Sequence, residues 1–209
     1  SSWATLVKRS SFCPVIRGSH GLKSEIVLHS FKGNLSMFRL TLVSLLFFVT
    51  ACSQGPSIND TNLSKLELNI EDFFVGKTTA YGQFQDRFGT IRSRFKVDIE
   101  GTWDGEVLTL VENFNYADQS TEIRIWKLKK TGENLWIGTA PGVVGDAIGE
   151  EKGDAFNFRY RLLVPFGKTT LLVTFDDWMW LLDEKRLFNR AYLSKYGVNI
   201  GEVLITFEK

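Results

Sequence analysis

A chain of 209 residues that is 44% hydrophobic and 13% aromatic has room for one domain with a sizeable core, and its composition excludes a disordered polypeptide. The cysteines are Cys13 and Cys52 and the histidines His20 and His29, so the chain beyond Cys52 excludes a disulfide, a histidine-based nucleophile system and a histidine-ligated metal site. The formal net charge is +1, but six of the 25 basic residues and only one of the 24 acidic ones precede Cys52; the remainder carries −4 and offers no basic face for nucleic acid.

Residues 1–36 are polar, without sustained periodicity and interrupted by Pro14, Gly18, Gly21 and Gly33; they are expected to be an upstream leader outside the working product. At Met37 the pattern changes. Arg39 precedes the apolar run LTLVSLLFFV at 40–49, and Thr50 and Ala51 lead to Cys52. A basic start, an apolar stretch of roughly 7–15 residues and small residues before a cleavage point describe a secretory signal, here 37–51. The run is too short to span a bilayer, which takes about 20 apolar residues.

The boundary Val49-Thr50-Ala51-Cys52 resembles the lipobox of bacterial lipoproteins. Small residues let an extended backbone enter a narrow peptidase groove, and the Cys52 thiol is the only nucleophile there able to form a thioether to diacylglycerol. Two or three acyl chains, at about 0.8 kcal/mol per buried CH₂, then hold the protein on a membrane. The resemblance implies a lipid-anchored protein, and Ser53 after the cysteine implies the outer membrane, facing the periplasm. Residues 52–64 are the lipidated cysteine and a polar tether, with a reach of roughly 40 Å at about 3.3 Å per residue.

From residue 65 to 209 the hydrophobic period is two. In 90–100, Ile91, Phe95, Val97 and Ile99 alternate with Arg92, Arg94, Lys96, Asp98 and Glu100, giving a buried and a wet face. Further strands are expected at 78–85, 107–116, 121–128, 134–139, 155–164, 169–182, 187–196 and 202–208. Turn signals separate them at 86–89, 104–105, 117–120, 131–134, 166–168 and 196–197. Short sequential connections predict an antiparallel meander closing into a lipocalin-like β-barrel of about 8–10 strands. Helix is expected only around 69–74, with Asn69 as cap.

The candidate site residues lie around Phe175-Asp176-Asp177-Trp178-Met179-Trp180. Neighbouring side chains in a strand point to opposite faces, so Asp176 and Asp177 do not form an acid and base pair on one surface. An inward carboxylate needs a partner, and Arg159, Arg161 and Arg190 are candidates. The glycines at 138, 142, 145, 149 and 153 lack any phosphate-binding pattern and read as bulges or points of sharp coiling. Phe156, Phe158 and Tyr160 on one face and Trp178 and Trp180 on another either line a cavity or fill the core. No catalytic residue, metal or cofactor is assigned.

Several pieces of 66–209 resemble an uncharacterised family of proteobacterial lipoproteins defined by a domain of unknown function. They are Glu71-Asp72-Phe73-Phe74 with Gly76, Asp86-Arg87-Phe88-Gly89, Gly101-Thr102-Trp103, the glycine-spaced Gly138-Thr139-Ala140 to Gly153, Asp176-Asp177-Trp178-Met179, and Asn189-Arg190-Ala191 to Gly201-Glu202. That likeness implies no activity. The expected architecture also resembles the lipocalin-like group, in which outer-membrane lipoproteins hold fatty or lysolipid ligands. The expectation is therefore a membrane-anchored binder of a hydrophobic small molecule or lipid. The alternatives are a carboxylate-based envelope enzyme acting on glycan or lipid, with Asp176 or Asp177 and Arg190, and a structural partner of an envelope complex.

Overall fold

The alternation of apolar and polar residues beyond the tether is realised as ten strands in a computed structural model that describes residues 55–60, 64–166 and 169–209. The leader 1–36, the signal 37–51 and Cys52 lie outside the described residues. The strands are β1 (Gly76–Asp86), β2 (Ile91–Trp103), β3 (Val107–Tyr116), β4 (Thr121–Lys130), β5 (Leu135–Thr139), β6 (Ala147–Lys152), β7 (Ala155–Phe166), β8 (Thr169–Asp183), β9 (Arg186–Lys195) and β10 (Val198–Glu208). Each pairs antiparallel with its chain neighbours, and β1 closes the ring on β10 from Thr79↔Glu208 to Asp86↔Gly201. Closure leaves no free end strand, which is how a long meander avoids an exposed sheet edge.

The strand that the hydrophobic pattern does not predict is β6, which falls among the glycines read as bulges. Gly138 on β5 and Gly149 on β6 stand inside regular ladders. A Cβ at Gly138 would lie 2.4 Å from the Phe158 ring, and one at Gly149 would lie 2.7 Å from the Phe156 ring. These positions are glycine because the rings of two β7 phenylalanines occupy the space a side chain would need. With glycine at inward positions the apolar alternation that marks a strand disappears.

One end of the barrel is closed by the single described helix, α1 (Ile70–Phe74), which buries Ile70, Phe73 and Phe74. Phe74 meets Phe207 edge-on at 5.4 Å. Asn69 does not cap this helix with its side chain. The capping carboxylate comes from β6 instead: the Ile70 amide donates to Glu151 Oε1 at 2.7 Å, and the Trp136 indole donates to Glu151 Oε2 at 3.0 Å. Gly101 allows α1 to come this close, since a Cβ there would sit 1.9 Å from the Phe74 carbonyl oxygen. Gly101→Ala is expected to lift α1 from the barrel end and to lower stability by about 1–3 kcal/mol in urea denaturation; unchanged stability would mean that α1 seals nothing.

The ladder is thinnest on one side. β5 covers only Lys127–Lys130 of β4, and β6 covers β7 only as far as Arg159. Beyond that level residues 121–126 of β4 pair with β3 alone, and the loop after β5 reaches β7 through the bridge Val143↔Leu162. Trp126 spans this break, its ring centroid 5.1 Å from those of both Phe158 and Tyr160.

Candidate functional site

Period two sends every second side chain of the strands inward, and a few of those inward residues are charged. On β3, Leu108, Leu110 and Phe114 share a face with Glu112; on β4, Trp126 and Leu128 share one with Arg124; on β8, Phe175 and Met179 share one with Asp177. With Tyr160 of β7 and Asn189 of β9 they line an interior cavity of about 100 Å³ whose remaining walls are aliphatic and aromatic. Drug-sized ligands occupy roughly 300–1,000 Å³, and a dry engineered cavity of about 150 Å³ holds benzene. The space therefore suits a body no larger than a single ring.

Two groups of polar side chains reach this cavity, one through Arg124 and one through Asp177, Tyr160 and Asn189. In the first, Arg124 Nη2 donates to Glu122 Oε1 at 2.8 Å, Tyr116 Oη donates to Glu122 Oε2 at 3.2 Å, and the Arg124 guanidinium lies 4.8 Å above the Phe114 ring. In the second, Asn189 Nδ2 donates to Asp177 Oδ1 and, at 2.9 Å, to the Trp178 carbonyl, while Tyr160 Oη donates to Asp177 Oδ2 at 3.3 Å. Glu112 lies within reach of the charges of Arg124 and Asp177.

Burial dominates the electrostatics. It pushes the Glu112 carboxyl up to about 7, a shift that the Arg124 charge opposes and those of Asp177 and Glu122 reinforce. Burial likewise pushes Asp177 up to about 6, although Asn189 and Tyr160 favour its ionised form. The Tyr160 hydroxyl is held well above the usual phenol range, first by burial and then by Asp177. Arg124 keeps its proton more firmly than usual, because Glu112 and Glu122 outweigh its burial. The cavity thus holds two carboxyl groups able to gain or lose a proton near neutral pH, the property expected of groups that meet a ligand.

Asp177 points inward, whereas Asp176 lies on the opposite side of β8, where Arg159 Nε and Asn157 Nδ2 donate to its Oδ1 at 2.9 and 2.8 Å. None of the three arginines proposed as partner reaches Asp177. Arg159 holds Asp176, Arg161 Nη2 donates to the Val144 carbonyl at 3.5 Å, and Arg190 Nε binds Glu202 Oε2 at 2.6 Å. The reason is parity, since Arg159, Arg161 and Arg190 all alternate with inward neighbours. The enzyme alternative therefore finds Asp176, Asp177 and Arg190 on two sides of the wall. Trp178 also lies on the side away from the cavity, 1% exposed and stacked on Trp180 at 5.9 Å, and its indole N–H has no acceptor among the described residues. Glu112, Glu122 and Arg124 escaped the sequence reading; the signal for them was a charge in phase with the apolar face of its strand.

Among solved structures, the barrel is similar to an S-type phycobiliprotein lyase from Guillardia theta, with a TM-score of 0.50 and 11% identity over 68% of this chain and 93% of that one. At that identity the likeness shows a shared fold alone. No curated protein matches the sequence. The family described as "Protein of unknown function (DUF3833)" matches residues 46–209, from the apolar run through the last strand of the barrel, and the chain belongs to that family.

Proposed function

We propose that this protein is a lipid-anchored component of the bacterial cell envelope, held by Cys52 at the outer membrane facing the periplasm, that binds a small hydrophobic ligand inside its barrel. The observation that carries the binding is the interior itself: a closed wall of aromatic and aliphatic side chains around a cavity with a few buried polar groups, the usual make-up of a small-molecule site. A barrel of the same fold, the Guillardia theta protein, is a phycobiliprotein lyase. Support for the anchor is the lipobox, and the family match, which begins at Leu46, takes in residues 49–52.

Each half has its own test. Titration of the full chain with toluene, followed by NMR, should shift the resonances of Phe158, Tyr160 and Trp126 saturably; shifts that never saturate, or that map to the outer surface, would refute an interior site. Cys52→Ser should abolish a diacylglycerol mass increment and move the protein out of the membrane fraction. A wild-type chain with an unmodified thiol would remove the envelope assignment.

A further inference from the structure

We propose that the end of the barrel away from α1 docks on an anionic phospholipid surface through two neighbouring hairpin tips, residues 87–91 between β1 and β2 and residues 195–199 between β9 and β10. This contact needs no acyl chain and is separate from any ligand in the interior. The strand register brings the two tips together: Asp86 pairs with Gly201, and the Arg87 amide donates to the Ile200 carbonyl at 3.2 Å. Phe88 is 76% and Tyr196 93% exposed, and Ile91 and Val198 beside them are exposed as well. Tyr196 stands there against backbone preference. Its φ of +51° and the +76° of Gly197 lie in the left-handed region, which bulky side chains rarely adopt and for which a two-residue turn favours Asn-Gly. An aromatic ring so placed contributes nothing to the core, and what it contacts lies outside the barrel.

Each of the two exposed rings has a cation beside it. The Arg87 guanidinium lies 4.6 Å from the Phe88 centroid and the Lys195 ammonium 5.2 Å from that of Tyr196. Neither cation forms an ion pair among the described residues. The nearby carboxylates are engaged within the wall, where Asp86 accepts from Arg92, and Glu202 from Arg190 and Gln85. Aromatic side chains settle at the level of lipid headgroups, and basic side chains beside them meet the phosphates.

The two ends of the barrel differ in charge. At the α1 end the turns are Asp104-Gly105-Glu106, Thr131-Gly132-Glu133-Asn134, Gly153-Asp154 and Glu184-Lys185, acidic and without an aromatic residue. An anionic leaflet repels that end. Asp118 and Asp146 of the far end stand on other tips, so the attraction belongs to the sector of residues 87–91 and 195–199. Residues 52–64 reach roughly 40 Å at about 3.3 Å per residue, and an eleven-residue strand such as β1 spans at most roughly 36 Å. A chain held at Cys52 can therefore lay this rim on the same membrane.

The test is NMR of the full chain carrying Cys52→Ser, which removes any acyl anchor, in phosphatidylglycerol nanodiscs doped with a nitroxide-headgroup lipid, with phosphatidylcholine nanodiscs as the neutral control. The amide resonances of residues 87–91 and 195–199 are expected to broaden in the anionic discs and those of 104–106 and 131–134 to stay sharp, with the broadening lost in the neutral discs. Insertion of the apolar run at 40–49 does not by itself produce this pattern. Phe88→Ser with Tyr196→Asn, and separately Arg87→Gln with Lys195→Gln, should each lose it; Asn suits the turn, and unchanged core resonances show that the fold is kept. Broadening centred on the α1 end, equal broadening in the two lipids, or broadening that survives either pair of substitutions would overturn the proposal. So would tips untouched by both lipids, which would leave them as a surface for a protein. None of these results bears on toluene in the interior or on the lipid at Cys52.

Discussion

Glu112→Gln is expected to stabilise the folded protein at pH 8 by on the order of 2 kcal/mol and to change its stability little at pH 5. The buried carboxyl has its titration raised from an ordinary 4.5 to about 7. Below the unfolded value the group is protonated in both states and contributes no penalty. As pH rises from about 4.5 to 7 the unfolded chain releases its proton while the folded chain retains it, so stability declines; above 7 the folded state carries the full penalty of a buried charge. Asp177 acts in the same direction, with its titration raised from 3.8 to about 6. Each tenfold change in proton affinity is worth roughly 1.4 kcal/mol, and the expected gain falls below that full conversion because the group retains contact with the cavity. Carboxylates whose titrations are lowered, such as Asp104 and Asp183, change charge only below their ordinary 3.8 and leave the interval from pH 5 to 8 clear. Urea denaturation of both proteins at the two pH values measures the effect. A mutant that is less stable at pH 8, or that keeps the wild-type slope, would show that Glu112 is not held in an apolar interior.

Trp136→Ala should cost about 3–5 kcal/mol, the range for removing a large aromatic from a core. Trp136 is 1% exposed and stands at the closed end of the barrel, 5.7 Å from Trp103, with the Lys130 ammonium 5.1 Å from its ring centroid. Its indole N–H is also one of the two donors that satisfy the buried Glu151, whose carboxyl is pushed up by burial and restrained by those same hydrogen bonds. The alanine variant therefore opens a cavity and leaves Glu151 with the Ile70 amide alone, loosening α1. Trp136→Phe separates the two effects: it keeps most of the volume, loses the donor, and is expected to cost about 1–3 kcal/mol. Chemical denaturation gives the totals, and hydrogen exchange of the Ile70 amide reports on α1. An alanine variant within about 1 kcal/mol of wild type, on the order of a surface substitution, would contradict this packing.

How far the fold was legible depends on whether a residue's role is set by its own strand. Alternation is local: in β2 the sequence Phe95, Val97, Ile99 places three apolar side chains on one face whatever the strand pairs with, and those residues are buried. The same parity separates Asp176 from Asp177 without any knowledge of the barrel. Turn residues are equally local, and the junctions at Asp86–Gly89, Asp104–Gly105 and Tyr196–Gly197 fall between strands, with positive φ at Gly89, Gly105, Tyr196 and Gly197.

The candidate site is different in kind. Glu112, Arg124, Tyr160, Asp177 and Asn189 come from five strands and meet only because β1 pairs with β10 and curls the sheet until opposite walls face each other. The amino-acid sequence alone determined the strands, the meander and which side of each strand is apolar, since those follow from the stereochemistry of neighbouring residues. Closure of the ring decided the rest: it turned β6 and its glycines into seats for Phe156 and Phe158, handed the capping of α1 from Asn69 to Glu151, and withdrew water from Glu112 and Asp177. Desolvation and charge–charge distance belong to the enclosed volume, and no single strand contains that volume.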